Sequence, residues 1–227
     1  MDAGLKKFIN ENIDLINENT KESWEKIYEK INYPLENIAK DFTQIILTSG
    51  INEPAKILGY IPGHYLYKSN IKNYKIPENV TSIGDWAFYT CESSTSVLIP
   101  SNVTYIGCRA FSACDNLTSI QIPDSVATID FGAFASCDNL TSIVIGDGVT
   151  SIGTIAFAFC KSLKSVVIPN NLISIGDRAF EACDNLKEIN FKGTKREART
   201  KLKVKNISWR KNSAIQKIIC TDGEIIL

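Results

Sequence analysis

One phrase recurs along this chain at a fixed interval: IPENVTSIGDWAF from Ile76, IPSNVTYIGCRAF from Ile99 and IPDSVATIDFGAF from Ile122. Four registers keep the same 23-residue period. They are Ile83, Ile106, Ile129, Ile152 and Ile175; Ala87, Ala110, Ala133, Ala156 and Ala179; Phe88, Phe111, Phe134, Phe157 and Phe180; Cys91, Cys114, Cys137, Cys160 and Cys183. No insertion breaks the count. A unit this short cannot bury its own apolar face, so it needs copies of itself stacked above and below. The repeat therefore predicts a solenoid.

Each position in the unit has a physical reading. The run LTSIQIP (Leu117 to Pro123) alternates apolar and polar residues as a half-buried strand does. Proline then ends the strand, because it has no N–H to give to a ladder; Pro77, Pro100, Pro123 and Pro169 fill that slot, with Gly146 as the exception. VTSIG is a second extended piece. Gly84, Gly107, Gly153 and Gly176 follow as turn residues, and Asp130 replaces glycine once, consistent with a left-handed backbone there. AFxxC reads as a short helical turn, its phenylalanine filling the coil and its alanine letting coils approach. Corresponding strands should stack in parallel at about 4.8 Å per coil.

The pattern IPxxVTSIGxxAFxxCxxLTSI resembles the BspA-like class of leucine-rich repeats. The resemblance covers about residues 71 to 193. It implies an α/β repeat fold, a curved leucine-rich-repeat solenoid of about five units, that binds proteins or cell-surface ligands and has no catalytic activity. Ser94, where the pattern has leucine, and Gly146 depart from it. The N-terminal block, with LKKFINENIDLINENTKESWEKIYEK, is similar to the helical segment before such repeats in proteins of phages and prophages of gut bacteria. The tail from Gly193 to Leu227, with its tryptophan and IIC-TDG-EII, looks like the family's terminal unit.

An open solenoid exposes apolar ends and strand edges that need covering. Residues 1–70 read as a helical N-terminal cap. Leu5, Phe8, Ile9, Ile13 and Ile16, then Trp24, Ile27, Tyr28 and Ile31, follow helical spacing. Pro34 could open a further helix through Leu35, Ile38, Phe42, Ile45 and Ile46. Residues 194–227 read as a basic C-terminal cap, a helical stretch and a hairpin with Asp222-Gly223 in the turn.

Little in the chain suggests chemistry. It carries a single histidine, His64, so neither a Cys/His metal set nor a histidine-paired proton relay is available. No phosphate loop, GxSxG or HExxH motif occurs. The expectation is no enzyme, no cofactor and no metal. The repeated cysteines read as small buried residues, since stacked parallel side chains do not converge as a disulfide requires. Cys108 and Cys220 lie outside that ladder and are expected partly exposed. Asp115, Asp138 and Asp184, each followed by asparagine, read as turn residues rather than a cation row, which Glu92 and Lys161 would interrupt.

The candidate site is therefore a surface. Its first part is the outward strand face, which the resemblance makes concave: Ser96 and Leu98, Ser119 and Gln121, Ser142 and Val144, Ser165 and Val167, Glu188 and Asn190. Small, nearly uncharged and with Leu98, Val144 and Val167 exposed, it suits a protein partner. Its second part is the basic tail: Arg196, Arg199, Lys201, Lys203, Trp209 and Arg210. That stretch could meet an acidic protein surface, including another copy of the chain, or nucleic acid. A net charge of zero gives no bulk reason to expect nucleic acid or a membrane surface. With no secretory leader in MDAGLKKFINENIDL and no apolar run of about 18 residues, the expected location is cytoplasmic. The five Asn-X-Ser/Thr sequons then read as accidental. The main reading is a phage or prophage interaction protein, either a virion component or a binder of a host factor. The alternative is a bacterial surface or secreted recognition protein.

Overall fold

The structure, a computed structural model, describes residues 3–31, 54–63, 65–66, 73–91, 95–202 and 208–227. The further helix from Pro34, His64, Glu92, Ser94 and Lys203 lie outside the described residues.

Each coil contributes two strands. The long ones are β1 (Asn73–Lys75), β3 (Ser96–Leu98), β5 (Ser119–Ile122), β7 (Ser142–Ile145), β9 (Ser165–Ile168) and β11 (Glu188–Phe191). The short ones are β2 (Ser82–Ile83), β4 (Tyr105–Ile106), β6 (Thr128–Ile129), β8 (Ser151–Ile152) and β10 (Ser174–Ile175). β5, β7, β9 and β11 pair in parallel with each residue opposite its repeat partner, Gln121 beside Val144 and Val144 beside Val167. β1 pairs with β3, and the short strands form their own parallel sheet in the order β10-β8-β6-β4-β2. Proline ends the long strands as expected, its carbonyl accepting the N–H three residues on, as Pro123 does from Val126 at 3.1 Å.

The interior is the repeat itself. The repeated alanines, phenylalanines and cysteines are all buried, and four of the five isoleucines are buried while Ile175 is half-buried. Phe88, Phe111, Phe134, Phe157 and Phe180 form a stacked column with centroids 4.7, 5.1, 5.5 and 5.4 Å apart. Each ring covers its neighbour's face, so no coil could bury its phenylalanine alone.

The connection after the short strand differs from the expected helical turn. It is a string of three-residue-offset turns: Ala110 N–H donates to Gly107 C=O, and Ser112 N–H to Arg109 C=O. Between those bonds, Arg109, Phe111 and Ala113 N–H reach Phe131, Ala133 and Ala135 C=O of the next coil. The left-handed residues are also not the slot glycines. Two other registers hold them: Trp86, Arg109, Gly132, Ile155 and Arg178; and Thr90, Ala113, Ser136, Phe159 and Ala182, with φ from 50° to 62°. The slot glycines are needed for close approach instead. A Cβ at Gly176 would stand 2.3 Å from Thr154 N, and one at Gly153 2.6 Å from the Asp130 carbonyl carbon. Asp130 in that slot has no positive φ either; its carboxylate accepts from the Tyr105 hydroxyl at 2.5 Å and from Phe131 N–H at 2.6 Å.

Both ends of the column are covered. Helices α1 (Ala3–Glu11), α2 (Ile13–Glu18) and α3 (Lys21–Ile31) bury Phe8, Ile16, Trp24, Ile27, Tyr28 and Ile31, while Ile13 is exposed although its spacing fits the apolar face. The short helix α4 (Pro54–Leu58) leads into Gly59–Leu66, which adds one more rung. Ile61 bridges Ile83, and Leu66 N–H donates to Ala87 C=O at 2.6 Å. Aromatic contacts run from Trp24 through Tyr28, Tyr65 and Tyr74 to Phe88, at centroid distances of 5.8 to 6.3 Å.

At the other end, α5 (Lys195–Lys201) starts from a capping box in which Thr194 and Glu197 satisfy each other's backbone N–H groups. Hydrogen bonds from Thr194 N–H, Asn170 and the Thr194 side chain lower the Glu197 carboxyl to about 2. The hairpin β12 (Lys217–Cys220) and β13 (Gly223–Ile226) extends the long-strand sheet, β12 parallel to β11 and β13 antiparallel to β12. Cys220 pairs with Gly223, so the loop residues are Thr221 and Asp222 rather than Asp222 and Gly223.

Candidate functional site

The alternation of the long strands leaves two solvent-facing rows. The first runs Ser96, Ser119, Ser142, Ser165, Glu188 and continues to Lys217; the second runs Leu98, Gln121, Val144, Val167, Asn190 and continues to Ile219. The structure thus brings all ten outward residues read from the sequence onto one strip. Their exposure is uneven. Leu98 is 62% and Val144 42% exposed, whereas Val167 is only half-buried rather than exposed. Lys217 closes the strip with ion pairs to Glu188 at 3.0 Å and Glu224 at 3.8 Å. The hairpin's share of this face was not read from the sequence. The outward alternation of Lys217 and Ile219 was the available signal.

The turn before each strand is tied to the coil beneath it. Asn139 donates to Asp115 C=O at 2.8 Å and Asn185 to Lys161 C=O at 2.7 Å, so asparagine bridges coils rather than closing its own turn. Lys161 pairs with Asp138 at 2.8 Å, and no cluster of metal-ligating side chains exists among the described residues.

The basic tail does not form the surface expected of it. Trp209 is buried. It sits in a 3-10 turn (Ser208–Arg210) and meets the Phe180 ring edge-on at 6.2 Å. Phe180 N–H donates to Trp209 C=O, so this tryptophan takes the place of the next coil's phenylalanine. Its physical role is closure, and its position 29 residues after Phe180 hides it from a strict 23-residue count. Lys201 is also occupied, donating from Nζ to the backbone and side-chain oxygens of Asn170. Arg210 is half-buried, and burial lowers its pKa. Arg196 and Arg199 are exposed, with no ion pair among the described residues.

The thiol ladder is buried and free of disulfides. Each thiol donates to a carbonyl of the previous coil: Cys114 to Phe88, Cys137 to Phe111, Cys160 to Phe134 and Cys183 to Phe157, at 3.1 to 3.2 Å. Burial pushes the Cys114 and Cys183 thiols up, and for Cys160 a hydrogen bond with Cys137 does so ahead of burial. Such thiols are poor nucleophiles. Cys108 is half-buried, but Cys220, on the hairpin strand β12, is buried instead of partly exposed.

This geometry agrees with the sequence family. Residues 59–187 match the model of the BspA type leucine rich repeat region, in six copies. The chain belongs to the BspA-type leucine-rich repeat family. The first copy begins at the rung of Gly59–Leu66. Proteins of this family are generally non-catalytic recognition scaffolds of the surface, adhesin-like kind. Among solved structures, a leucine-rich repeat protein from Bacteroides ovatus is 38% identical over 53% of this chain and 31% of its own, with a TM-score of 0.50. The T. pallidum leucine rich repeat protein is 34% identical over 57% of this chain and 61% of its own, with a TM-score of 0.54. The pneumococcal vaccine antigen PcpA, 22% identical over 70% of this chain and 44% of its own, shares the fold at a TM-score of 0.55. The BspA-type chain thus spans about a third to three fifths of the length of the first two. No curated protein matches it.

Proposed function

We propose that this BspA-type chain is a bacterial surface or secreted recognition scaffold that binds a protein through the outward face of its long strands. One observation carries the reading: the outward face of the long strands, in register from β5 to β11 with the β1–β3 pair stacked before it, is turned to solvent, and its apolar side chains, Leu98 and Val144 foremost, lie outside the core. The vaccine antigen among the similar structures supports surface exposure over the phage role, for which the comparisons offer no support. Among the described residues no helix is long and apolar enough to cross a membrane.

Two measurements test this. Labelling of intact cells of the encoding organism with antibody to the chain should detect it without permeabilisation; labelling only after permeabilisation would overturn the surface reading. Binding to an array of extracellular proteins should be lost in Leu98→Asp and Val144→Asp but kept in Ile173→Asp, which changes a still more exposed residue off the strip. Equal binding by all three would overturn the strip as the site.

A further inference from the structure

The charges along the solenoid are sorted from end to end, beside a strip that is itself uncharged up to Glu188 and Lys217. Where the long strands finish, the N-terminal and middle coils carry Glu78 and Asp124, while the last coil runs into α5 with Arg196 and Arg199 exposed and unpaired among the described residues. Over residues 73–191 acidic residues outnumber basic ones by twelve to six, and over 192–227 basic outnumber acidic by ten to three. A rotation by half a turn about an axis parallel to the strands brings one copy's N-terminal coils over the other's C-terminal coils. It also keeps strand ends against strand ends. Glu78 of each copy, paired within its own chain only to Lys75 at 3.5 Å, then lies at the end where the other copy carries Arg196 and Arg199.

We propose that a second copy of this chain docks on the outward strand face, forming a two-fold dimer in which the acidic coils of each copy meet the basic end of the other. The proposal rests on the strip being the binding surface and names its occupant. Ser96, Ser119, Ser142 and Ser165 make the face low enough for two sheets to approach, with Leu98 and Val144 as the apolar contacts. Six strands by four residues cover only about 380 Å² per copy, counted from strand spacing and rise. A stable dimer needs about 800 Å² per partner. The charged margins must supply the difference, so the dimer is weak and sensitive to salt.

Sedimentation velocity of the full chain tests this. The expected result is a concentration-dependent dimer near 50 mM salt whose dissociation constant rises about tenfold or more near 500 mM. Val144→Asp should be monomeric with an unchanged melting temperature. Arg196→Glu with Arg199→Glu should be monomeric alone, as should Glu78→Lys with Asp124→Lys. A one-to-one mixture of those two variants should dimerise again, because two-fold docking restores both contacts at once. A monomer at low salt overturns the proposal while leaving array binding through Leu98 and Val144 to stand for the strip. A dimer indifferent to Val144→Asp, or oligomers growing beyond two, overturns the docking geometry.

Discussion

The two faces of one strand teach different things. In β7, Ile143 and Ile145 point inward and Ser142 and Val144 outward. Coil by coil, the first inward position of the four long-strand neighbours holds Ile120, Ile143, Val166 and Ile189, all buried. The corresponding outward position wanders through Leu98, Gln121, Val144, Val167 and Asn190. An inward residue is boxed between copies of itself above and below, so its size and shape are set by the stack. An outward residue has neighbours only in its own row, and solvent above it. The first outward position repeats serine from Ser96 to Ser165, so it is the drift of the second row that marks where the solenoid is free to recognise something else.

The sharpest way to break this contrast is to cut the interior column at its middle. Phe134→Ala removes a ring stacked on both sides, and should cost about 3–5 kcal/mol in denaturant unfolding. Val144→Ser, on the outward face, should stay within about 0.5 kcal/mol. Equal losses would mean that the outward face is also structural.

The thiol ladder gives a second, smaller test of the same interior. Cys114, Cys160 and Cys183 have thiols held above their ordinary range in the fold. Above pH of about 8.5 the unfolded chain releases those protons and the folded chain keeps them, so stability is full below that pH and falls as pH rises. Each thiol contributes up to about 1.4 kcal/mol per pH unit. Cys160→Ala should flatten the alkaline limb of stability against pH by about that amount. A slope unchanged by the substitution would show that the thiols ionise within the fold.

How much of this was legible in the sequence follows from the same contrast. The 23-residue registers predicted the solenoid, its parallel strands, the phenylalanine column and the buried thiols, because each is enforced by contact with an identical neighbour. The ends were harder to read. Trp209 stands in for a phenylalanine from a different offset, and Ile61 joins the ladder through a sequence that hardly resembles the unit. A capping element has a neighbour on one side only, so half of the constraint that writes the repeat is missing. The strip's residues were found by alternation alone, but alternation says nothing about how far a hairpin continues it. Its partner is not legible in the registers, since one outward row drifts from Leu98 to Asn190 and the other repeats a serine that small size alone explains.

The turns supply the finest test, because there the left-handed backbone falls on other residues than the slot glycines expected from the repeat. Ala113 holds φ 57°, a conformation that costs an L-residue with a Cβ roughly 1–2 kcal/mol, while Ala110, in the same turn, has no positive φ. Ala113→Gly relieves that strain but adds flexibility to the unfolded chain, a loss of about 0.5–1 kcal/mol. The balance should be a gain of about 0.5–1 kcal/mol in unfolding free energy. Ala110→Gly has no strain to relieve and empties a buried position between coils, so it should only destabilise. Opposite signs at two alanines three residues apart would locate the strain in the backbone of this turn. Destabilisation at both would mean that the methyl group of Ala113 contributes more to coil stacking than its φ angle costs.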